Sequence, residues 1–244
     1  MSVVDFRQVC FRIGERAILK DLSFSIEAGE TLVLLGRSGS GKTTALRLIN
    51  SMTLPSSGEV RVEGKTTVEW DPVRLRRGIG YVIQEGGLFP HFTVERNVGL
   101  VPELEGWPAD RIANRVGELL GSVGLPADDF RGRFPRELSG GQRQRVGVAR
   151  ALAADPKILL FDEPFGALDP VTRLDLQREF LRLRGALGKT SVFVTHDVRE
   201  AAILATRIAL LHEGALAFIG SPAEFRESPH PEARAFLEVL KSAE

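Results

Sequence analysis

Leu32-Val33-Leu34-Leu35-Gly36-Arg37-Ser38-Gly39-Ser40-Gly41-Lys42-Thr43-Thr44 decides the fold. Gly36 to Thr43 has the pattern G-x-x-x-x-G-K-[ST], a phosphate-binding loop. The four apolar residues before it read as a buried strand. After it, Ala45, Leu48, Ile49 and Met52 recur at i, i+3, i+4 and i+7, one face of a helix. Glycines let backbone N–H groups close on phosphate oxygens, and the following helix start adds a favourable dipole. Lys42 is placed to reach the β- and γ-phosphates of a nucleotide, and the Thr43 hydroxyl to bind Mg²⁺.

The 244 residues suit one large α/β domain or two small ones, and 43% hydrophobic content supports a sizeable core. Lys plus Arg and Asp plus Glu number 32 each, so the net charge of zero gives no general pull toward nucleic acid. Arg74-Leu75-Arg76-Arg77 reads as a solvated face. Cys10 is the only cysteine, so no intrachain disulfide can form and a reducing cytosol fits. No apolar run reaches membrane-spanning length, and Met1-Ser2-Val3-Val4-Asp5 lacks the look of a signal peptide. A role at a membrane would need another chain to supply the membrane part.

Around the loop, Phe6–Arg12 and Asp21–Ile26 alternate as strands, with a turn at Glu27-Ala28-Gly29-Glu30. Leu54-Pro55-Ser56-Ser57-Gly58 stops the first helix, Glu59–Val62 alternates as a short strand, and Gly80–Gln84 is another strand. Residues 85–155 read as mostly helical. Short apolar runs return at Ile158–Phe161 and Ser191–Val194, in the style of parallel strands buried on both faces. A helix carrying Leu174, Leu176, Phe180, Leu181 and Leu183 separates them. Arg207–His212 is a further strand before the Glu213-Gly214 turn, and the chain from Ala223 is helical. The expected organisation is one domain over 1–244: an α/β core from 1–84 and 156–244, with a β-rich N-terminal part, and a helical insert over 85–155.

Ile158-Leu159-Leu160-Phe161-Asp162-Glu163 is a strand ending in two carboxylates. Beside a phosphate loop, Asp162 suits Mg²⁺ through its water shell, and Glu163 suits orientation and deprotonation of the attacking water. Leu138-Ser139-Gly140-Gly141-Gln142 opens another helix. Ser139 and Gln142 have capping-box spacing, so a well-capped helix is one reading. The two glycines cost helix stability and leave the helix start bare for an anion, which is the other.

LSGGQRQR at 138–145, LLFDEP at 159–164, the loop Ala167-Leu168-Asp169 and the strand-terminal His196 resemble the ATP-binding subunits of ABC transporters. The resemblance runs from about residue 3 to the C-terminus. It implies a P-loop NTPase (RecA-like) core with an antiparallel β subdomain and an inserted α-helical subdomain. It also implies ATP and Mg²⁺ as ligands. Gly36, Ser38, Gly39, Ser40, Gly41, Lys42, Thr43 and Thr44 would form the Walker A loop. Asp162 would be the Walker B aspartate and Glu163 the catalytic glutamate. Gln84 would be the Q-loop glutamine, joining Mg²⁺ and water to the helical subdomain. Ser139, Gly140, Gly141 and Gln142 would be the signature, touching the γ-phosphate of ATP held by the opposite subunit. Asp169 would be the D-loop aspartate at the dimer seam, and His196 the switch histidine. His91, His212 and His230 stay structural or surface residues. In one place the chain departs: the family commonly stacks adenine on an aromatic just before the glycine of the first hairpin, where Ile13-Gly14 stands. Phe11 lies two residues earlier, on the same strand face.

Tyr81 to Val98, with Val101-Pro102 and Gly106-Trp107, looks like the ATPases of quaternary-amine (glycine betaine, choline, carnitine) importers. Many of those carry a C-terminal pair of CBS domains, for which the chain ending at Glu244 has no room. The resemblance thus implies an ATPase on the cytoplasmic face of a cell membrane, peripheral, driving an osmoprotectant importer. Its partners would be a second copy packed head-to-tail, membrane permease subunits docked on the region after Gln84, and indirectly a substrate-binding protein, with no nucleic acid. Other readings stay open: an ABC ATPase for another polar solute or for lipid trafficking, or a soluble ABC ATPase acting on ribosomes or DNA. A Rossmann-type dehydrogenase would need G-x-G-x-x-G and a ribose-binding acid, and the Lys-Thr of the loop argues against it.

Overall fold

Thr31–Leu35 is a strand (β3) buried along its whole length, and its five side chains leave no polar face for solvent. The computed structural model describes residues 2–84, 87–166 and 168–241, with side chains for all of these except 183–187 and 241. Met1, Glu85, Gly86, Ala167 and the Leu183 side chain, all read above, lie outside the described set.

Contacts group the residues into two compact units, 1–76 with 189–244, and 77–188. In the first unit, β1 (Ser2–Ile13) and β2 (Arg16–Glu27) form an antiparallel hairpin. β4 (Ser57–Val62) and β5 (Lys65–Thr66) extend it to a sheet of order β2-β1-β4-β5. Around β3 the strands run β10-β9-β3-β8, with β8 at Thr190–Thr195, β9 at Arg207–His212 and β10 at Ala215–Gly220. β8 and β9 are parallel to β3, and β10 is antiparallel to β9. Leu35 pairs with Thr195, so the phosphate loop and His196 leave neighbouring strands at the same end. That is the end at which parallel α/β sheets bind ligands.

α1 (Lys42–Ile49) follows the loop and buries Ala45, Leu46, Leu48 and Ile49. The spacing placed Met52 on the same face, but the helix ends at Ile49 and Met52 is 56% exposed. Ser51 adopts φ 54°, its N–H reaches Leu48 O at 3.4 Å, and the Met52 N–H reaches Arg47 O at 3.0 Å. These bonds form the left-handed helix stop usually supplied by glycine, here made by serine. Among the described residues, three further helices follow β8 in this unit: α8 (Val198–Leu204), α9 (Pro222–Glu227) and α10 (Pro231–Lys241).

In the second unit, α2 (Pro72–Arg77) straddles the boundary and leads into β6 (Ile79–Val82). β6 pairs in parallel with β7 (Ile158–Asp162), Val82 opposite Phe161. Gln84 and the Asp162-Glu163 pair therefore leave adjacent strands at one end. Between them lie α3 (Val94–Leu104), α4 (Ala109–Ser122), α5 (Ala127–Phe130), a 3₁₀ turn at Pro135–Glu137 and α6 (Gly140–Leu152), with no strand among the described residues. α7 (Pro170–Leu187) closes the unit, packing Phe180 edge-to-face on Phe161 at 5.1 Å between ring centres. No helix among the described residues is long and apolar enough to cross a membrane.

Candidate functional site: the phosphate loop and the carboxylate strand

The loop after β3 is shaped by what glycine permits. Gly41 has φ 100°, and a Cβ there would lie 2.5 Å from Leu19 Cδ2 and 3.1 Å from Ile18 O. The loop thus packs on the first hairpin with no room for a side chain. Gly41 is the residue before α1, and no side chain caps that helix start. Lys42 is 5% exposed, and its Nζ donates to Gly36 O at 2.7 Å and Arg37 O at 2.9 Å. The ammonium is therefore folded back inside the loop. Ser40 Oγ is buried with no hydrogen-bond partner among the described residues. An unsatisfied buried hydroxyl costs about 1–3 kcal/mol, and a phosphate oxygen is an acceptor that would relieve it. Thr43 and Thr44 follow in the first turn of α1.

His196 is exposed directly after β8. Behind it, Thr195 Oγ1 donates to the buried Glu200 at 2.6 Å and accepts the Asp197 N–H at 3.0 Å. Asp197 in turn caps α8 through Arg199 N at 2.8 Å. A short buried network thus fixes the backbone on both sides of the histidine.

In the second unit, Asp162 is 8% exposed and its Oδ2 accepts from the Tyr81 hydroxyl at 3.2 Å. Tyr81 stands on β6, beside β7, and its part in holding Asp162 was not visible in the sequence. Glu163 has φ 45°, a left-handed conformation that costs a non-glycine residue of order 1 kcal/mol and is found at functional sites. A Cβ on Gly166 would sit 3.6 Å from Glu163 Oε2 and 3.9 Å from Gln84 Nε2. Those two side-chain ends therefore converge on one point.

Ser139 caps α6. Its hydroxyl accepts the Gln142 N–H at 3.2 Å, and Gln142 Oε1 accepts the Ser139 N–H at 2.9 Å. Gly141 is buried, and a Cβ there would lie 2.5 Å from Thr172 Cγ2 of α7, whereas Gly140 is exposed with only ordinary contacts around its Cβ position. Asp169 Oδ1 accepts from Val171 N at 3.1 Å and Thr172 N at 3.0 Å. Hydrogen bonds from Thr172 hold the Asp169 carboxyl below its ordinary range. The first hairpin presents Ile13 at 65% exposure and Phe11 half-buried.

Residues 19–166 match the model of the family described as ABC transporter. The chain belongs to the ABC transporter family. It is 48% identical over 90% of its length to the Glycine betaine/carnitine/choline transport ATP-binding protein OpuCA of Bacillus subtilis (strain 168), of which it covers 57%. It is 47% identical over 90% of its length to the Glycine betaine uptake system ATP-binding protein YehX of Escherichia coli (strain K12), of which it covers 71%. The chain thus spans rather more than half the length of OpuCA-type relatives. Among solved structures, it resembles the dimeric post-hydrolysis state of the ATP-binding cassette MJ0796 bound to ADP and Pi. That match has TM-score 0.80 and 34% identity, covering 90% of this chain and 98% of that one. It also resembles cbiO1 from Clostridium perfringens, part of the ABC transporter complex cbiONQ, with TM-score 0.83 and 27% identity, covering 91% and 90%. These matches bear out the P-loop ABC fold expected from the sequence.

Proposed function

We propose that this ABC chain binds and hydrolyses ATP in a head-to-tail homodimer and drives a separate membrane permease for a quaternary-amine osmoprotectant. The observation that carries the ATP part is the phosphate loop: an uncapped α1 start, a buried Lys42 ammonium and an unsatisfied Ser40 hydroxyl. Together these supply donors of the kind that binds one anion. The substrate class rests on what OpuCA and YehX are named for transporting.

The chemistry follows from the side chains. The loop N–H groups, Ser38, Ser40 and Thr44 hold phosphate oxygens, and Lys42 neutralises charge between the β- and γ-phosphates. Thr43 and Asp162 would hold Mg²⁺, with Gln84 contacting it. A hydroxyl and one carboxylate suit an ion that keeps much of its water, and when bound it offsets charge on the phosphates. Glu163 accepts the proton of the attacking water. His196 contacts the γ-phosphate. Ser139, Gly140, Gly141, Gln142 and Asp169 act on the nucleotide of the partner copy. The assignment of all these residues to shared nucleotides comes from the family resemblance and from donor chemistry.

The test is co-expression with a permease and binding protein from the same gene neighbourhood, reconstituted in vesicles. ATP-dependent uptake of glycine betaine, choline or carnitine is the expected result. ATP hydrolysis without uptake of any quaternary amine would remove the substrate class, and absence of hydrolysis would remove the ATPase reading.

A further inference from the structure

Arg37 stands directly after Gly36 in the phosphate loop. Its backbone serves the loop: Arg37 O accepts from Lys42 Nζ at 2.9 Å and from the Ser40 N–H at 3.2 Å. Its side chain leaves the loop for α10, where Nε donates to Glu232 Oε1 at 2.6 Å. The pair is separated by 195 residues in sequence. Glu232 is 8% exposed, in the first turn of α10. Its N–H donates to His230 Nδ1 at 3.2 Å, and its Oε2 lies 3.6 Å from His212 Nδ1 at the end of β9. The neighbouring Leu211 O lies 2.4 Å from where a Cβ on Gly36 would sit, so β9 and the loop are in close contact. Glu232 therefore sits between the start of a helix and the end of a strand, both abutting the loop.

A short charge-assisted bond of this kind is strong locally. The Arg37 side chain is 68% exposed, so the pair adds little to fold stability. Its consequence is where it keeps a cation. A guanidinium five residues before the phosphate-gripping lysine has the right chemistry to bind phosphate itself, in bidentate fashion. The hydrogen bond that Arg37 donates to Glu232, and then the carboxylate charge, raise the Arg37 pKa.

We propose that Glu232 is a positioning residue of the nucleotide site, keeping Arg37 engaged so that phosphate is held by the loop N–H groups and Lys42 without a second cation. This rests on the ATP-binding reading above. With Arg37 withheld, the diphosphate product leaves without a guanidinium slowing it. Nucleotide affinity then depends on the seat of α10, because displacing its first turn frees a cation beside the phosphates.

The test compares the full-length wild type, Glu232→Gln and Glu232→Gln/Arg37→Ala by titration with Mg²⁺-ADP and with inorganic tripolyphosphate, alongside thermal melts and steady-state ATPase kinetics. Glu232→Gln is expected to bind both ligands about fivefold more tightly, with KM and kcat falling together. Removing Arg37 in that background should abolish the gain. A melting temperature that falls while affinity is unchanged or weaker would show a merely structural pair and overturn the proposal. If Glu232→Gln does not fold, Glu232→Asp, which retracts the carboxylate by one methylene, is expected to tighten tripolyphosphate about twofold; no tightening overturns the proposal. A wild type that binds neither ligand would overturn the ATP-binding reading and this proposal with it. Binding lost only in Lys42→Ala, with Glu232→Gln unchanged, would overturn this proposal alone.

Discussion

Two helices of this protein begin at glycines and begin differently. α1 starts after Gly41 in a left-handed conformation with no side-chain cap and a buried lysine as its first residue. α6 starts at Ser139, whose hydroxyl and backbone N–H are both satisfied by Gln142. A helix leaves its first N–H groups without internal partners. At α6 the chain supplies partners locally. At α1 the preceding residue is Gly41, which has no side chain to cap the helix, and Lys42 and Ser40 bring donors to the same place. The first start is shaped for an anion. The second is a stable platform whose serine and first glycine are exposed, which suits the proposed role on another copy's nucleotide.

Lys42→Ala should give the largest effect. Two or more charge-assisted bonds to phosphate, each about 1.5–3 kcal/mol, would be lost. ATP hydrolysis should then fall about 100-fold or more, while the melting temperature drops only by a few degrees as Gly36 O and Arg37 O lose their donor. Hydrolysis within threefold of wild type would show that the open start of α1 is not where phosphate is held.

Gly141→Ala should come next, because its methyl would meet Thr172 Cγ2. Overpacking of that kind costs about 1–3 kcal/mol, visible as a drop of a few degrees in the melt. Thr172→Ser in the same chain removes that methyl and should restore the melt. If hydrolysis stays low in the restored double variant, the small residue at 141 serves the nucleotide as well as packing. If hydrolysis returns with stability, Gly141 is a packing glycine and the contrast between the two helix starts weakens.

The smallest effect concerns the base. Ile13 is aliphatic and 65% exposed, and the donors of the phosphate loop do not see adenine. ATP and GTP should therefore be hydrolysed at comparable rates. Ile13→Tyr should tighten ATP by several-fold, somewhat below the ~1–3 kcal/mol of full base stacking. A wild type that prefers ATP to GTP more than tenfold, with the preference lost in Phe11→Ala, would put Phe11 on the base instead.

Much of this was legible because the informative signals are local. The β3–loop–α1 unit, Thr31 to Ile49, and the α6 capping box, Ser139 to Gln142, are each one short unbroken stretch of chain, and spacing alone carries them. Met52 was misplaced because a serine, not a glycine, takes the left-handed stop after α1. β10 went unread because Ala215–Gly220 is half-buried throughout and bulged between Leu216 and Phe218, which erases the alternation. The partners Tyr81–Asp162 and Arg37–Glu232 were out of reach for another reason. Only the folded register of distant strands and helices brings them together.

The central claim is that one copy holds the nucleotide with its open α1 start while the α6 start of a second copy closes on it. Size-exclusion chromatography of Glu163→Gln, with and without saturating Mg²⁺-ATP, tests this most directly. The glutamine keeps the side-chain size but cannot take the proton from water, so bound ATP should persist. The variant should run as a monomer without nucleotide and as a dimer with ATP, and adding Ser139→Arg should return it to a monomer. A species that binds ATP stoichiometrically and stays monomeric would contradict the account.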